Sequence, residues 1–280
     1  MTTITKERET ENVTTLIAQG SFSPYQRFII FVCLLINLLD GFDVFAISFA
    51  APLISDAFGL PPATLGLILS ASLIGMAIGA VLIGPLADKY GRRPIILVGL
   101  LCVSFSMTAT AFATSAFELM LYRFLAGLGI GGLLPGLNTI CAEYSPNNKR
   151  NISLGMMHIA YPLGALTCGF IFSAYSQENW QNIFLIGGTL TFVAAIIGFV
   201  ALPESIHFLS QKQPKDAVQK LNRILSRIDK PVISALPQLR DDNVPTFRDV
   251  LSPQYLKRSL ALSMSFFLGF LIMYFVFSWA

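Results

Sequence analysis

Residues 84–93 of this chain read Gly-Pro-Leu-Ala-Asp-Lys-Tyr-Gly-Arg-Arg, and they separate two long apolar runs. The first run covers about residues 64–83 without a charge, and the second begins at Pro94 and stays apolar to about residue 113. Each run is long enough to cross a bilayer, because about 20 apolar residues suffice for a helical span. The segment therefore predicts a short charged hairpin between two spans. Gly84 and Gly91 would let the chain reverse there, and basic neighbours would neutralise Asp88.

The composition of the chain also indicates an integral membrane protein. Of its 280 residues, 54% are hydrophobic and 12% are charged, whereas roughly a quarter of the residues in a globular protein are charged. The net charge of +3 follows from where the basic residues fall and does not imply a nucleic-acid partner. The sequence contains no phosphate-binding glycine loop and no nucleophile and base arrangement, so we expect neither an enzyme nor a cofactor. The four cysteines lack ligand-like spacing, which argues against a disulfide or a metal site; they are Cys33, Cys102, Cys141 and Cys168.

Stretches of about 20 apolar residues predict an all-α membrane protein with seven spans. The spans are expected near residues 26–51, 64–84, 94–114, 117–140, 152–174, 181–202 and 259–280. A cytosolic tail, residues 1–25, would precede a six-helix bundle over residues 26–202. A cytosolic loop, residues 203–258, would then lead to the seventh span. Apolar residues recur at helical spacing from Ala217 to Ile228 opposite basic ones, which predicts an amphipathic helix on the inner membrane face.

The basic residues predict the orientation of the chain. Of the 19 lysines and arginines, 18 lie in the N-terminal tail with the start of the first span, in the loops after the second and fourth spans, or in the segment 203–258. The intervening loops near residues 55–63, 114–115 and 175–180 contain none. Because cytoplasmic loops carry the excess of lysine and arginine, we expect a cytoplasmic N-terminus in the inner (plasma) membrane.

Three charged residues fall inside the predicted spans. Arg123 lies about 9 Å from the outer end of the fourth span, and Asp43 lies about 12 Å from the outer end of the first, at 1.5 Å per residue. Asp40 is one turn deeper than Asp43 on the same helix face. We expect the three to form a proton-coupling and substrate site in which one guanidinium balances two acids, so that one acid can take up a proton. The alternatives are that Arg123 snorkels to the headgroups and that the acids form a purely structural polar patch.

One further residue within a span is titratable. His158 lies about seven residues from the cytoplasmic end of the fifth span. It is a candidate for a proton relay or a substrate contact, and an interior histidine without a transport role is the alternative.

Several motifs carry a resemblance to the major facilitator superfamily. Residues 84–93 match its loop signature G-x-L-x-D-[RK]-x-G-R-[RK] at every fixed position. Residues 143–150 resemble the E-x-x-P-x-x-x-R loop of related branches, and residues 203–205 their P-E-S motif. The resemblance implies two inverted three-helix units and assigns a conformational gating role to a set of loop residues: Gly84, Asp88, Gly91, Arg92, Arg93, Glu143, Arg150 and Glu204.

The stretch Asp40-Gly41-Phe42-Asp43, with Ala50-Ala51-Pro52 after it, resembles the D-G-x-D…A-P signature of the aromatic acid:proton symporters. This resemblance implies uptake of a small organic anion with protons. It also implies twelve spans, so that a C-terminal half is required in cis or in trans. A drug-type or metabolite proton antiporter is one alternative. A non-transporting half-protein that acts as a membrane interaction partner is another.

The charge bias makes the topology testable. Single cysteines at Ala57 and Glu178 should react with an impermeant thiol reagent added to intact cells, because both positions fall in loops without basic residues. A cysteine at Gln211 should stay unlabelled until the cells are opened. Labelling of position 211 in intact cells would contradict the assignment.

Overall fold

A computed structural model describes residue 17 and residues 21–176, 178–236 and 252–279. The described residues are helical and include no strand. We number the helices in chain order: α1 Pro24–Phe58, α2 Pro62–Leu82, α3 Gly84–Tyr90, α4 Arg92–Ala111, α5 Ala116–Tyr144, α6 Asn147–Tyr175, α7 Gln181–Ala201, α8 Ile206–Lys212, α9 Ala217–Arg227 and α10 Leu256–Trp279.

The predicted all-α membrane fold is confirmed. Among the described residues, six helical segments are long and apolar enough to cross a membrane: α1, α2 continued by α3, α4, α5, α6 and α7. The residues of the expected seventh span form helix α10, which belongs to a separate compact unit from residue 238 onward. Whether α10 crosses the membrane remains a prediction, as do the domain bounds.

The charged segment, residues 84–93, differs from the expected short hairpin. Residues Gly84–Tyr90 continue the second span as helix α3, because Pro85 suits the first turn of a helix. The chain reverses only at Gly91, whose φ of 106° is one that other residues rarely adopt. The expectation that both glycines form the turn is therefore wrong for Gly84.

Helix α1 is longer than the apolar pattern indicated. It begins after Ser23, whose side chain forms a capping box with Gln26. It then continues through Pro52 to Phe58, where Gly59 ends it in the left-handed conformation. Proline is tolerated inside membrane helices because neighbouring groups satisfy the carbonyl that it leaves unpaired. The expected end at residue 51 was therefore too early.

The first three-helix unit consists of α1, α2 and α4, and the second of α5, α6 and α7. Each unit packs against the other: α1 lies against α6, and α2 lies against α5. Glycines make both crossings close. In the first crossing, a Cβ on Gly164 would collide with the backbone of Leu38. In the second, a Cβ on Gly127 would collide with the backbone of Ser72. Such contacts let the backbones approach as small residues do at membrane helix interfaces.

The amphipathic helix is present as α9, but its apolar face is covered by protein. Leu221 and Leu225 are fully buried, and α9 packs on α8. Arg227 of α9 stacks on the ring of Tyr25 at 5.2 Å and donates to its hydroxyl at 3.2 Å. The expectation that this apolar face lies on the membrane surface is therefore wrong, because other parts of the protein cover it.

Helix α6 offers a matched test of the glycine crossings. Gly164→Ala should lower the melting temperature of the detergent-solubilised protein, because an added methyl group at a backbone contact costs about 1–3 kcal/mol. Gly155→Ala, on the same helix, meets open space and should leave the melting temperature unchanged or raise it slightly. Equal effects of the two substitutions would contradict the packing described.

Candidate functional site

A buried ion pair joins two of the membrane helices. Nη1 of Arg123 on α5 donates to Oδ1 of Asp43 on α1 at 2.9 Å, and neither side chain has any exposed surface. Nη2 of Arg123 lies 3.4 Å from the hydroxyl oxygen of Thr110 on α4. The ring of Phe184 on α7 covers the guanidinium at 5.1 Å. Complete burial excludes the snorkelling alternative for Arg123, because a snorkelling side chain reaches the headgroup region.

Asp40 has no such partner. It lies on α1 one turn before Asp43 and is 5% exposed, yet neither of its carboxylate oxygens makes a hydrogen bond among the described residues. The expected fork, with one guanidinium shared between two acids, is therefore not formed: Arg123 pairs with Asp43 alone. A negative charge on Asp40 would have no partner, and unpaired charges are costly to bury.

His158 lies apart from this pair. Its side chain is exposed on α6, while its neighbour Met157 is buried and accepts a hydrogen bond from Asn37 of α1 through its carbonyl oxygen. Among the described contacts, none joins His158 to Arg123, Asp40 or Asp43. The structure thus brings Asp43 of α1 and Arg123 of α5 into contact, whereas His158 is exposed on α6.

A second charged cluster lies at one end of the bundle, where α4, α5 and α8 meet. Arg92 at the start of α4 forms a salt bridge with Glu143, near the end of α5. Nη1 of Arg92 also donates to the hydroxyl of Ser205 at 2.9 Å. Glu143 accepts from the same hydroxyl and from the backbone N–H of Ile206, both at 2.8 Å. The carboxylate therefore holds the start of α8 against the end of α5.

Glu204 completes this cluster by capping α4. Its Oε1 accepts from the backbone N–H groups of Arg92 at 2.8 Å and Arg93 at 3.1 Å. A side chain at Gly91 would be strained by the φ of 106°, and its Cβ would also meet the Glu204 carboxylate, so glycine suits this turn. A carboxylate at a helix N-terminus is favourable because it satisfies free N–H groups and complements the helix dipole.

The remaining gating candidates lie outside the cluster of Arg92, Glu143 and Glu204. The side chain of Asp88 is 73% exposed, and its one ion-pair partner among the described residues is Arg92, at 3.5 Å. Arg93 donates to the carbonyl oxygen of Phe199 at 2.6 Å, and Nε of Arg150 donates to that of Ala142 at 3.1 Å. Gly84 has open space where a side chain would stand. The expectation that several basic neighbours neutralise Asp88 is therefore met by one partner among the described residues, Arg92.

Sequence reasoning missed residues that face the two clusters from neighbouring helices. Thr110 and Phe184 carry no sequence signal that relates them to Arg123, since each lies on a different helix. Tyr144 is also part of the charged cluster: its hydroxyl donates to the Glu204 carbonyl at 2.9 Å, and its own carbonyl accepts from Gln26 at 3.0 Å. Only Ser205 had a usable signal, because it follows Glu204 in the P-E-S motif.

Comparisons with known proteins extend the geometric result. Residues 33–280 match the family model described as Major Facilitator Superfamily. The chain is 33% identical over 275 residues to the 4-hydroxybenzoate transporter PcaK of Pseudomonas putida, covering 96% of this chain and 61% of that protein. It is 32% identical over 261 residues to a gallate transporter of Pseudomonas putida, covering 92% of this chain and 58% of the relative. The chain thus spans about three fifths of the length of these relatives.

A similar arrangement of helices occurs in a solved structure. The proton:xylose symporter XylE superposes with a TM-score of 0.66 at 22% identity, covering 75% of this chain and 51% of that one. At this level of identity the likeness concerns the fold.

The ion pair of Arg123 and Asp43 should contribute to the stability of the protein. Arg123→Met should destabilise the protein by about 3–5 kcal/mol, because it leaves the Asp43 carboxylate buried and unpaired. The double variant Arg123→Met/Asp43→Leu should recover most of that loss, since it removes both charges. Thermal unfolding in detergent measures both effects. A double variant no more stable than Arg123→Met would show that the pair is not the source of the loss.

Proposed function

This chain belongs to the major facilitator superfamily, and we propose that it forms the N-terminal half of a proton-coupled symporter for an aromatic or related organic acid anion. The substrate class is supported by the similarity of this chain, along nearly all of its own length, to transporters of 4-hydroxybenzoate and gallate. The family is one of membrane transporters rather than enzymes. The remaining part of such a carrier would be supplied by a C-terminal half, in cis or in trans.

The observation that carries the proposal is the unpartnered carboxylate of Asp40 beside a fully buried ion pair. Asp43 is committed to Arg123, whereas Asp40 has both oxygens free of described partners. A buried carboxyl group without a cation is most easily accommodated in its neutral, protonated form. Asp40 is therefore the acid that carries the coupling proton in this proposal, and Asp43 fixes the guanidinium next to it.

Protonation of Asp40 would couple the proton to an anionic substrate. A neutral carboxyl group can donate a hydrogen bond to a substrate carboxylate, whereas an ionised one repels it. Arg123 is fully enclosed in this conformation, so its part in the proposal is to balance Asp43 rather than to meet the substrate directly. His158, exposed on α6, remains a candidate contact for the substrate.

The charged cluster suggests how the carrier changes state. Arg92, Glu143 and Glu204 bind α4, α5 and α8 together within this half, which would make that end of the bundle move as one body. Asp88 projects from the same end and is largely exposed. We propose that it acts on a mirrored loop or helix end of the C-terminal half and stabilises one state of an alternating-access cycle.

The location follows from the same proposal. The half would lie in the inner membrane with its N-terminus in the cytoplasm, as the distribution of basic residues predicts. Its partners would be the lipid bilayer, protons and a small organic anion.

Substitution of Asp40 tests the coupling role. In cells expressing the full-length carrier that contains this chain, Asp40→Asn should abolish accumulation of 4-hydroxybenzoate driven by a proton gradient, because an amide cannot bind and release the proton. Asp43→Asn should also abolish accumulation, since it breaks the pair that orients Arg123. Asp56→Asn is a matched control, because Asp56 is an exposed carboxylate on the same helix, and it should transport normally.

Arg123→Lys separates geometry from charge. A lysine keeps the positive charge but cannot reproduce the planar donors that reach Asp43 and Thr110, so transport should be strongly impaired. Full proton-driven accumulation by both Asp→Asn variants would refute the coupling role and leave only membership of the family.

A further inference from the structure

Three aromatic rings form a column that ends on the buried ion pair. The ring of Phe58, the last residue of α1, lies 6.1 Å from that of Trp180. Trp180, which precedes α7, meets Phe184 at 5.9 Å with the rings nearly perpendicular. Phe184 in turn covers the guanidinium of Arg123 at 5.1 Å. The column therefore connects one end of the bundle to the charged centre.

The aromatic column lies at the end opposite the charged cluster. Phe58 is at the C-terminal end of α1, whereas Gln26 at its N-terminal end bonds to Tyr144 of the charged cluster. Trp180 is 5% exposed and Phe184 is not exposed at all. Apolar rings therefore close the approach to Arg123 from the Phe58 end.

The ring of Phe184 contacts the guanidinium of Arg123 in a way that the ion pair and the hydrogen bonds do not. The two terminal nitrogens of Arg123 are directed to Asp43 and Thr110, while its Nε has no hydrogen-bond partner among the described residues. The π face of Phe184 attracts the cation, and such an attraction is strongest where water is excluded. The ring of α7 therefore adds a third contact to those that α1 and α4 make with the guanidinium.

We propose that Phe184 is a positioning residue for proton coupling: it holds Arg123 in the geometry that pairs with Asp43 and leaves Asp40 without a cation. Trp180 lies one helical turn before Phe184 and contacts the same ring, so it fixes the orientation of Phe184. This inference rests on the function proposed above. It adds that net proton-coupled uptake depends on the electrostatic character of the ring, and not only on its volume.

Fluorination of one ring tests this directly. Incorporation of mono-, di- and trifluorophenylalanine at position 184 of the full-length carrier weakens the π face stepwise with little change in size. Proton-driven accumulation of 4-hydroxybenzoate should fall with each fluorine, to about one tenth for the trifluoro ring, which is the scale of a buried cation–π contact. Exchange of internal for external substrate, which needs no net proton movement, should stay within about twofold, since a retained ring volume preserves the packing.

Phe42 provides the matched control. It is the other fully buried phenylalanine among the described residues, and its ring lies against Gly187 rather than over a charge. The same fluorinated series at position 42 should leave both accumulation and exchange unchanged.

Three other outcomes overturn the inference. A flat response at position 184, with proton-driven accumulation intact in the unmodified carrier, would show that the ring acts only by filling space. Equal losses at positions 42 and 184 would indicate general packing damage. Parallel loss of accumulation and exchange at position 184 would indicate a structural role. Absence of proton-driven accumulation in the unmodified carrier is a different result, because it removes the proposed function itself.

Discussion

The structure depends on a guanidinium that is buried where water cannot reach it. An isolated charge inside a membrane protein is expensive, and the cost is lowered here by a carboxylate on α1, a hydroxyl on α4 and a ring on α7. These groups reach Arg123 only if four helices keep their rotation and depth. The close glycine crossings of α1 on α6 and of α5 on α2 supply that constraint, because a side chain at Gly164 or Gly127 would force the backbones apart. Packing and electrostatics therefore specify the same arrangement.

The two ends of the bundle are built from different chemistry. One end is held by ions and hydrogen bonds among Arg92, Glu143, Glu204 and Ser205, and such contacts can break and re-form when water enters. The other end is closed by the apolar rings of Phe58, Trp180 and Phe184. In the proposed carrier, the ionic end suits a contact that changes between states and the aromatic end suits a permanent cover over the charge. We propose that Asp40, which lies between them, is the group whose charge changes.

The sequence predicted the fold and brought Asp40, Asp43 and Arg123 to one region, but it did not predict how these three residues pair. Apolar length places the spans, and counting along two helices brings Arg123 to the depth of Asp40 and Asp43. An i, i+3 spacing puts both acids on similar faces, so only the rotation of α1, which is set by its packing on α6, selects Asp43. Phe184 and Thr110 could not be found, because their relation to Arg123 exists only after α4 and α7 pack together. The turn was misplaced for a local reason: Gly84 and Gly91 look alike in sequence, yet of the two only Gly91 has a positive φ.

We propose that Asp40 carries the proton while Asp43 remains in its pair with Arg123. Infrared difference spectroscopy on residues 1–280 in lipid, recorded during a pH titration, tests this most directly because a protonated carboxyl group has its own C=O stretching band. We expect such a band to disappear in Asp40→Asn and to persist in Asp56→Asn. Persistence of the band in Asp40→Asn and its loss in Asp43→Asn would overturn this assignment, since the proton would then reside on the acid that the structure pairs with Arg123.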